Sequence, residues 1–188
     1  RSKEVAARKY YYFLGGKSNP ALSWIKTKKE HTLPEKPFSR EELLKLYQSI
    51  KPSTPVMHRD RSMLGLVLFQ GLLRSELTEL RMQDLDFDNC TVFIEGQRRT
   101  NSRKLSLKPF QVMHLYDYMN KYRQDFIGLG RDKRADRMFL SKGCGSSLNN
   151  SLARLLKNMR RSFPQLKDLK HIRGSVITHW QDEEGLME

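Results

Sequence analysis

The amino-acid sequence predicts a mainly α-helical domain with a small antiparallel β-sheet, an α+β fold. Most of the chain places apolar residues every three to four positions, which is the spacing of amphipathic helices. One short stretch in the middle changes to strand-forming residues separated by turns. The 188 residues, 38% of them hydrophobic, suffice for one domain with a core and a short appendage.

The first part of the chain is predicted to precede this domain. Residues 5–14 have the pattern of the end of an amphipathic helix, and Gly15, Gly16, Asn19 and Pro20 stop it. The next residues are rich in lysine and show little periodicity, as in a linker. The predicted organisation is a helix tail at residues 1–20, a linker at residues 21–37 and the main domain at residues 38–188.

The helices of the main domain are predicted from caps and apolar spacing. Ser39 and Glu42 form a capping box that starts the first helix. The segment from Met63 to Phe69 is too apolar to be exposed and predicts a core helix, which Gly71 interrupts. This core helix is predicted over residues 57–72. Further helices are predicted over residues 75–81, 109–126, 148–162 and 170–180. In the helix at 109–126, the inward positions are expected to be Val112, Leu115, Tyr116 and Met119.

The strands are predicted in the middle of the chain. Residues 85–94 turn at Asp88 and Asn89 and end in strand formers, and residues 104–107 return as a second strand after a basic turn at 96–103. Residues 138–140 are expected to add a buried edge strand.

The charge of the chain points to a polyanionic partner. Thirty-five Lys and Arg against 21 Asp and Glu give a net charge of +14 and a pI near 9.9. The basic residues recur throughout a folded, amphipathic chain, which favours nucleic acid over an anionic membrane surface. A ribosome-associated or other RNA-binding basic protein is the alternative that charge alone leaves open.

Cysteine usage and hydropathy exclude several classes. Cys90 and Cys144 show neither a disulfide framework nor a zinc spacing, so we expect a reducing compartment, no metal and no cofactor. No apolar run approaches the ~20 residues of a membrane span, so no membrane partner is expected. Arg1 opens the chain without an initiator Met or signal peptide, and we expect its start to be a fragment boundary.

Three stretches of the chain, each containing glycine and arginine, stand out by their order along the sequence. The first is residues 71–77 (GLLRSEL), with Leu80, Asp84 and Asp86 beyond. The second is the basic turn at residues 96–103 (GQRRTNSR), leading into Leu105-Ser106-Leu107. The third is residues 170–179 (KHIRGSVITH). In this order they resemble the first arginine box, the lysine-bearing β-hairpin and the second arginine box of the tyrosine recombinases of the phage integrase type.

This resemblance covers nearly the whole chain. Residues 8–21 are similar to the last helix of the family's core-binding domain and the linker after it, so residues 38–188 would be the catalytic domain, incomplete at its C-terminal end. The family cuts and rejoins duplex DNA through a 3′-phosphotyrosyl intermediate without metal or ATP. Fixed guanidinium groups clamp the phosphate as negative charge develops, and a hairpin lysine protonates the leaving oxygen.

The second box transfers one role without a gap. Arg173 takes the position of the clamping arginine in Ile172-Arg173-Gly174-Ser175. Where the family usually has histidine, three residues earlier, this chain has Lys170, which can donate to a phosphate oxygen but has an ordinary pKa of ~10.4. His171 is the alternative, although one helical step rotates its side chain by about 100°.

The first box and the hairpin depart from the family. The arginine of Gly-Leu-Arg falls on Leu73, and Arg74 comes one place late. Either Arg74 reaches the phosphate, or Arg98 or Arg99 of the hairpin turn substitutes, which is the alternative we favour. The hairpin lysine position also falls on Arg98 or Arg99, and arginine is a poor proton donor. Lys104 is the lysine left for that role in the hairpin; Arg98, Arg99, Arg103 and Lys104 are the predicted DNA-binding residues.

The nucleophile implied by the family is missing from this sequence. All seven tyrosines precede Arg173, whereas the family places its tyrosine after the second box. The resemblance implies a site-specific recombinase that integrates or excises a mobile element, acts as a homo-oligomer (a tetramer) in a DNA synapse, and is bacterial or phage-encoded, cytoplasmic and nucleoid-associated. The alternatives are a catalytically degenerate family member that binds DNA without cutting it, and a basic helical RNA-binding protein.

Overall fold

A computed structural model describes residues 36–97, 101–127, 136–141 and 147–185. All of them belong to one compact unit, Leu33–Glu188. The predicted helix tail at residues 1–20 and most of the predicted linker lie outside the described residues, and the domain boundaries stay predictions.

Helices make up most of the described chain. In sequence order they are α1 (Arg40–Gln48), α2 (Pro55–Gln70), α3 (Arg74–Glu79), α4 (Pro109–Asp117), α5 (Gln124–Ile127), α6 (Leu148–Met159) and α7 (Leu169–Gly185), with a 3₁₀ turn at Met82–Asp84 and a π-helical turn at Tyr118–Tyr122. The predicted capping box starts α1: the Ser39 hydroxyl accepts from the Glu42 amide, and the Glu42 carboxylate accepts from the Ser39 amide.

The sheet lies between α3 and α4 in the sequence. Its three strands are β1 (Leu85–Asp86), β2 (Thr91–Ile94) and β3 (Arg103–Ser106), in the order β1-β2-β3 and antiparallel throughout. Val92 pairs with Leu105 and Ile94 with Arg103. The prediction of a mainly α-helical fold with a small antiparallel sheet is confirmed.

Helix α2 is the centre of the core. It packs against α1, α4, α7 and the π-helical turn. Met63, Leu64, Leu66 and Val67 are all fully buried on successive faces of the helix, as a helix that is apolar on most sides requires. Burying an aliphatic side chain of this size stabilises the fold by roughly 1.5–3 kcal/mol before entropy is counted.

The helix predicted at residues 109–126 is interrupted. The π-helical turn at Tyr118–Tyr122 adds a residue to one turn and changes which side chains face inward. Before this turn, Tyr118 continues the helical spacing of the buried Gln111 and Leu115 and is fully buried, whereas Tyr116, predicted to be inward, is 53% exposed. Burial raises the pKa of the Tyr118 phenol to about 12.

The prediction of an edge strand at residues 138–140 is wrong, although the segment is buried. Side chains, not a neighbouring strand, satisfy its carbonyl groups. Arg123 Nε donates to Met138 O at 3.3 Å, and Arg59 Nη1 donates to Leu140 O at 2.9 Å. Arg59 is itself fully buried, bonded to the Asp60 carboxylate and stacked over Phe126.

Candidate functional site

The starts of three helices meet around one cavity. The cavity has a volume of about 550 Å³ and lies where the first turns of α3, α6 and α7 approach each other. It is lined by Leu72, Leu73, Arg74, Ser75, Thr78, Asn149, Leu156, Asp168, Leu169, Lys170 and Arg173. Three of these side chains are cationic and one is anionic, so the cavity carries a net positive charge. We call it the cationic pocket.

Arg173 is anchored in the pocket by the backbone. Its Nε donates to Gly71 O at 2.7 Å, and no described residue accepts a hydrogen bond from its terminal nitrogens. Gly71 ends α2 in the left-handed conformation, with φ +62°, which aims its carbonyl at α7. The ring of Trp180, two turns along α7, covers the Gly71 Cα, where an added Cβ would lie 3.1 Å from the ring. The turn after α2 therefore holds the guanidinium by one edge and leaves the other edge for a ligand.

Lys170 stands in the first turn of α7 and is exposed to the pocket. The helix itself starts at an acidic cap, because Asp168 Oδ1 accepts from the His171 amide at 2.8 Å. A lysine at a helix N-terminus adds its charge to the positive end of the helix dipole. The two together favour an anion at this end of the pocket.

His171 is placed away from the pocket. It is 7% exposed, and two helical steps of about 100° each separate its side chain from that of Arg173. Nε2 bonds Lys36 O at 2.9 Å, Nδ1 accepts from the Lys167 amide at 3.4 Å, and the ring lies 4.7 Å from the Phe38 ring. Nε2 thus holds the chain before α1 and Nδ1 holds the chain before α7, which gives His171 a structural position.

Two further side chains of α7 hold the same segment. The Ser175 hydroxyl accepts from the Phe38 amide at 2.9 Å and donates to His171 O, and His179 Nε2 bonds Phe38 O at 2.7 Å. Residues 171, 175 and 179 are spaced by one turn, so they form one polar stripe along α7. His179 therefore packs against the segment before α1, through a residue 141 positions earlier in the sequence.

Leu73 and Arg74 stand side by side at the start of α3. Leu73 is half-buried and lines the pocket at the position where the resemblance expects an arginine. Arg74 also lines the pocket and is exposed; its Nε donates to Asn149 Oδ1 at 2.7 Å and its Nη2 to Asn149 O at 2.8 Å. The structure thus brings Arg74 to the same cavity as Lys170 and Arg173.

Glu76 connects the pocket wall to the sheet. Its carboxylate accepts from Arg103 Nη1 at 2.7 Å, from Arg103 Nη2 at 2.9 Å and from the Leu73 amide at 2.8 Å. Burial by itself raises the pKa of Glu76, but these bonds and the charges of Arg103 and Arg173 outweigh it, so the pKa lies below its ordinary value. Glu76 is ionised and neutralises Arg103.

Two of the four hairpin residues predicted to bind DNA lie on opposite faces of the sheet, and the other two lie outside the described residues. Arg103 faces Glu76, and Lys104, the next residue of the strand, faces the opposite side, where its Nζ lies 3.7 Å from Asp86 Oδ2. Lys104 therefore points away from the face of the sheet on which Arg103 contacts Glu76. Arg98 and Arg99 lie outside the described residues, so their predicted substitution for Leu73 stays a prediction.

Three residues of this site escaped the sequence analysis as functional residues. Glu76 was quoted in a motif without a role, and its buried bidentate pairing depends on Arg103, 27 positions away. Asn149 and Asp168 show no motif at all. Asp168, three residues before His171, has the spacing of a helix cap, which is a signal the sequence did contain. Asn149 had none, since its partner is 75 positions earlier.

Metal sites and membrane-spanning helices can be assessed over the described residues. Within the described parts of the chain, no group of three or more His, Cys, Asp or Glu side chains is arranged to hold a metal ion. Over the same residues, no helix combines the length and apolar character required to cross a bilayer.

The fold is a mainly helical domain with a three-stranded antiparallel sheet, and a positively charged pocket lies at the starts of its helices. Comparison with known families makes this specific. The phage integrase family model matches residues 36–174, and the chain belongs to this family. The resemblance drawn from the three sequence motifs is confirmed.

Curated relatives agree with the family. The chain is 28% identical over 190 residues to tyrosine recombinase XerC of Bacillus pumilus, covering 97% of this chain and 61% of the relative. It is 27% identical over 146 residues to XerC of Oceanobacillus iheyensis, covering 77% of this chain and 47% of the relative. The chain thus spans about half to three fifths of the length of these two relatives.

Solved structures share the fold. XerH site-specific recombinase bound to its difH substrate superposes with a TM-score of 0.62 at 22% identity, over 78% of this chain and 43% of that one. The Tn1549 transposon integrase in complex with transposon right end DNA gives a TM-score of 0.63 at 18% identity, over 95% of this chain and 64% of that one. At these identities the likeness establishes the fold of the domain.

Proposed function

We propose that this chain is the phosphate-binding part of the catalytic domain of a site-specific tyrosine recombinase, which cuts and rejoins duplex DNA through a 3′-phosphotyrosyl intermediate. The cationic pocket holds the scissile phosphate. Arg173 contacts its oxygens, and Lys170 donates to the same group from the start of α7. Integration or excision of a mobile element is the reaction that this chemistry serves.

One observation carries the proposal, the anchoring of Arg173 by Gly71 O at 2.7 Å. A guanidinium held at Nε presents its remaining N–H groups in a fixed direction, and this preorganisation is what stabilises charge that develops on a phosphate. Glu76 keeps the pocket wall in place from behind without occupying the pocket, because its carboxylate is already bonded to Arg103 and Leu73.

The partners follow from charge and relatives. A net charge of +14 suits a DNA-binding chain, and the relatives named above are recombinases, one of them bound to its DNA substrate. We propose duplex DNA as the partner, a homotetramer as the state in the synapse, and the bacterial cytoplasm as the location.

A second candidate function has its own support. Leu73 replaces a clamping arginine by an apolar side chain, and Lys170 replaces the usual histidine with a group whose ordinary pKa is ~10.4. Both changes remove catalytic groups, while Arg74, Lys170 and Arg173 still give the pocket positive charge for binding. A family member that binds its DNA site and shapes a synapse without cutting would show this pattern.

The test compares cleavage and binding in the full-length protein. If Arg173 acts mainly on charge that develops during the reaction, Arg173→Ala should slow cleavage of a nicked substrate by about 30-fold or more, equivalent to ~2 kcal/mol. Affinity for the same DNA should fall only a few-fold, because many basic residues share the backbone contacts. The measurements are covalent-adduct formation resolved on an SDS gel and a DNA-binding titration.

Arg161→Ala is the matched control, since Arg161 is exposed and does not line the pocket. It removes the same charge and should leave cleavage unchanged. Equal losses of cleavage and binding for Arg173→Ala would favour the binding-only alternative. A preference for structured RNA over duplex DNA in a gel-shift assay would contradict both DNA-based proposals.

A further inference from the structure

The cationic pocket has one guanidinium that the backbone anchors and a leucine where the resemblance expects another. Arg173 is bonded to Gly71 O, while Leu73 contributes only an apolar wall and an amide bonded to Glu76. A phosphate carries several oxygens. Clamping it bidentately from a second side requires another guanidinium with a fixed direction, because the Lys170 ammonium is a point charge on a flexible stem. Two of the described arginines, Arg103 and Arg74, are candidates for this second guanidinium.

Arg103 does not meet this requirement. Both of its terminal nitrogens bond the carboxylate of Glu76, which is 2% exposed, and this ion pair neutralises its charge. Removing Arg103 from that pair would leave a buried carboxylate without its partner, at a substantial cost.

Arg74 is held differently. Its Nε and Nη2 donate to Asn149 Oδ1 and Asn149 O at 2.7 and 2.8 Å. Both acceptors are neutral oxygens, and no carboxylate in the described part of the chain forms an ion pair with Arg74. The contact therefore fixes the plane of the guanidinium without neutralising its charge. Nη1 and the second N–H of Nη2 remain as an edge that can donate to an anion.

We propose that Asn149 is a positioning residue that holds Arg74 as the second phosphate-binding arm of the cationic pocket, in place of the arginine missing at Leu73. The inference rests on the proposed phosphate-binding function of that pocket. An exposed arginine ordinarily loses several rotamers when it binds, and a side chain already held by two hydrogen bonds loses fewer. Asn149 thus raises affinity without touching the ligand.

An asparagine suits this role better than an aspartate. The amide oxygen gives Arg74 an acceptor, whereas a carboxylate at the same place would add a negative charge beside the phosphate. Asn149→Asp should therefore preserve the contact with Arg74 and still weaken anion binding, which separates the geometric effect from the electrostatic one.

The experiment titrates the chain with inorganic phosphate at constant ionic strength and follows the Nε–Hε resonances of Arg173 and Arg74 by NMR. Both resonances should shift with one dissociation constant. Asn149→Ala should weaken phosphate binding about three- to tenfold, and Asn149→Asp about tenfold or more. Asn150→Ala, an equally exposed asparagine outside the pocket, should change affinity less than twofold.

The outcomes distinguish this inference from the function on which it rests. If the Arg173 resonance shifts while the Arg74 resonance does not, Arg74 is not the second arm. If Asn149→Ala matches Asn150→Ala, Asn149 does not position Arg74. Either result overturns the inference while the phosphate pocket stands. If neither resonance shifts, the phosphate pocket fails and takes the inference with it. Unchanged backbone amide spectra of the variants would show that folding is not the cause.

Discussion

At the level of single residues, the carboxylate of Glu76 joins the start of α3 to the start of β3. It is 2% exposed and accepts three hydrogen bonds, two from Arg103 and one from the Leu73 amide. Because these partners stabilise the ionised form, the pKa of Glu76 is lower in the folded chain than its ordinary value. The stabilisation is therefore complete above the unfolded-state pKa of about 4.3 and is lost as the pH falls through the depressed folded-state value.

Glu76→Gln should lower the free energy of unfolding at pH 7 by about 2 kcal/mol, since Gln keeps one acceptor but loses the charge opposite Arg103. As the pH falls from about 5 to 3, the free energy of unfolding of the variant should also decrease less than that of the unaltered chain. Urea unfolding at a series of pH values measures both effects. Parallel pH profiles for the two proteins would contradict the assigned ion pair.

Two glycines, Gly65 inside α2 and Gly71 at its C-terminal cap, give a matched pair of substitutions. At Gly71, φ is +62° and an added Cβ would meet the Trp180 ring at 3.1 Å, so Gly71→Ala should destabilise the fold by about 1–2 kcal/mol and loosen the anchor of Arg173. At Gly65, inside α2, the nearest atom is an ordinary 3.4 Å away, and Gly65→Ala should be neutral or stabilise by up to ~1 kcal/mol. Opposite signs in urea unfolding are the expected result. An unchanged stability of Gly71→Ala would show that the turn accepts a side chain without strain.

At the level of elements, α7 performs two tasks on different faces. One face presents Arg173 and Lys170 to the cationic pocket, and the stripe of residues 171, 175 and 179 binds the backbone before α1. The stripe thus fixes the position of the chain that leads into the domain. The same helix that lines the cationic pocket also orders this entry segment.

Ser175→Ala should free the entry segment without changing the pocket. Ser175 is fully buried, and its loss would leave the Phe38 amide without its partner, at a cost of about 1–3 kcal/mol. Hydrogen exchange of the Phe38 amide should become at least tenfold faster. Thr178→Ala is the control, because the Thr178 hydroxyl bonds only the Gly174 carbonyl of its own helix, and it should leave that exchange rate nearly unchanged. Equal protection of Phe38 in both variants would contradict the role of the stripe.

At the level of the whole molecule, the net charge of +14 exceeds what solubility needs. Each phosphate contacted by a lysine or arginine releases counterions, so affinity for duplex DNA should fall steeply with salt. For about six contacts, a loss of roughly 10³-fold is expected between 50 and 200 mM salt. Fluorescence anisotropy with a labelled duplex measures the slope of log K against log salt, and an affinity independent of salt would refute the electrostatic account.

Local patterns were sufficient for most of the fold. Apolar spacing located the helices to within a few residues, and the capping box at Ser39 and Glu42 was correct in detail, because both features depend on neighbours in the sequence. The π-helical turn at Tyr118–Tyr122 and the buried segment at Met138–Leu140 were not predictable in this way. The first is an extra residue in one helical turn, which leaves no periodic signal in the sequence. The second is held by the side chains of Arg59 and Arg123, and Arg59 lies 81 positions from Leu140.

The sequence by itself determined the family, the fold class, the basic character and the prominence of Arg173, since these reside in residue types and their order. Only the tertiary structure decided which cations share a cavity. It placed Arg74 in the same cavity as Arg173 and bonded it to Asn149. It also turned Lys104 to the opposite face of the sheet, paired Arg103 with Glu76 and buried His171. The direction of a side chain depends on contacts made by residues far apart in the chain, and such contacts leave no periodic trace in the sequence.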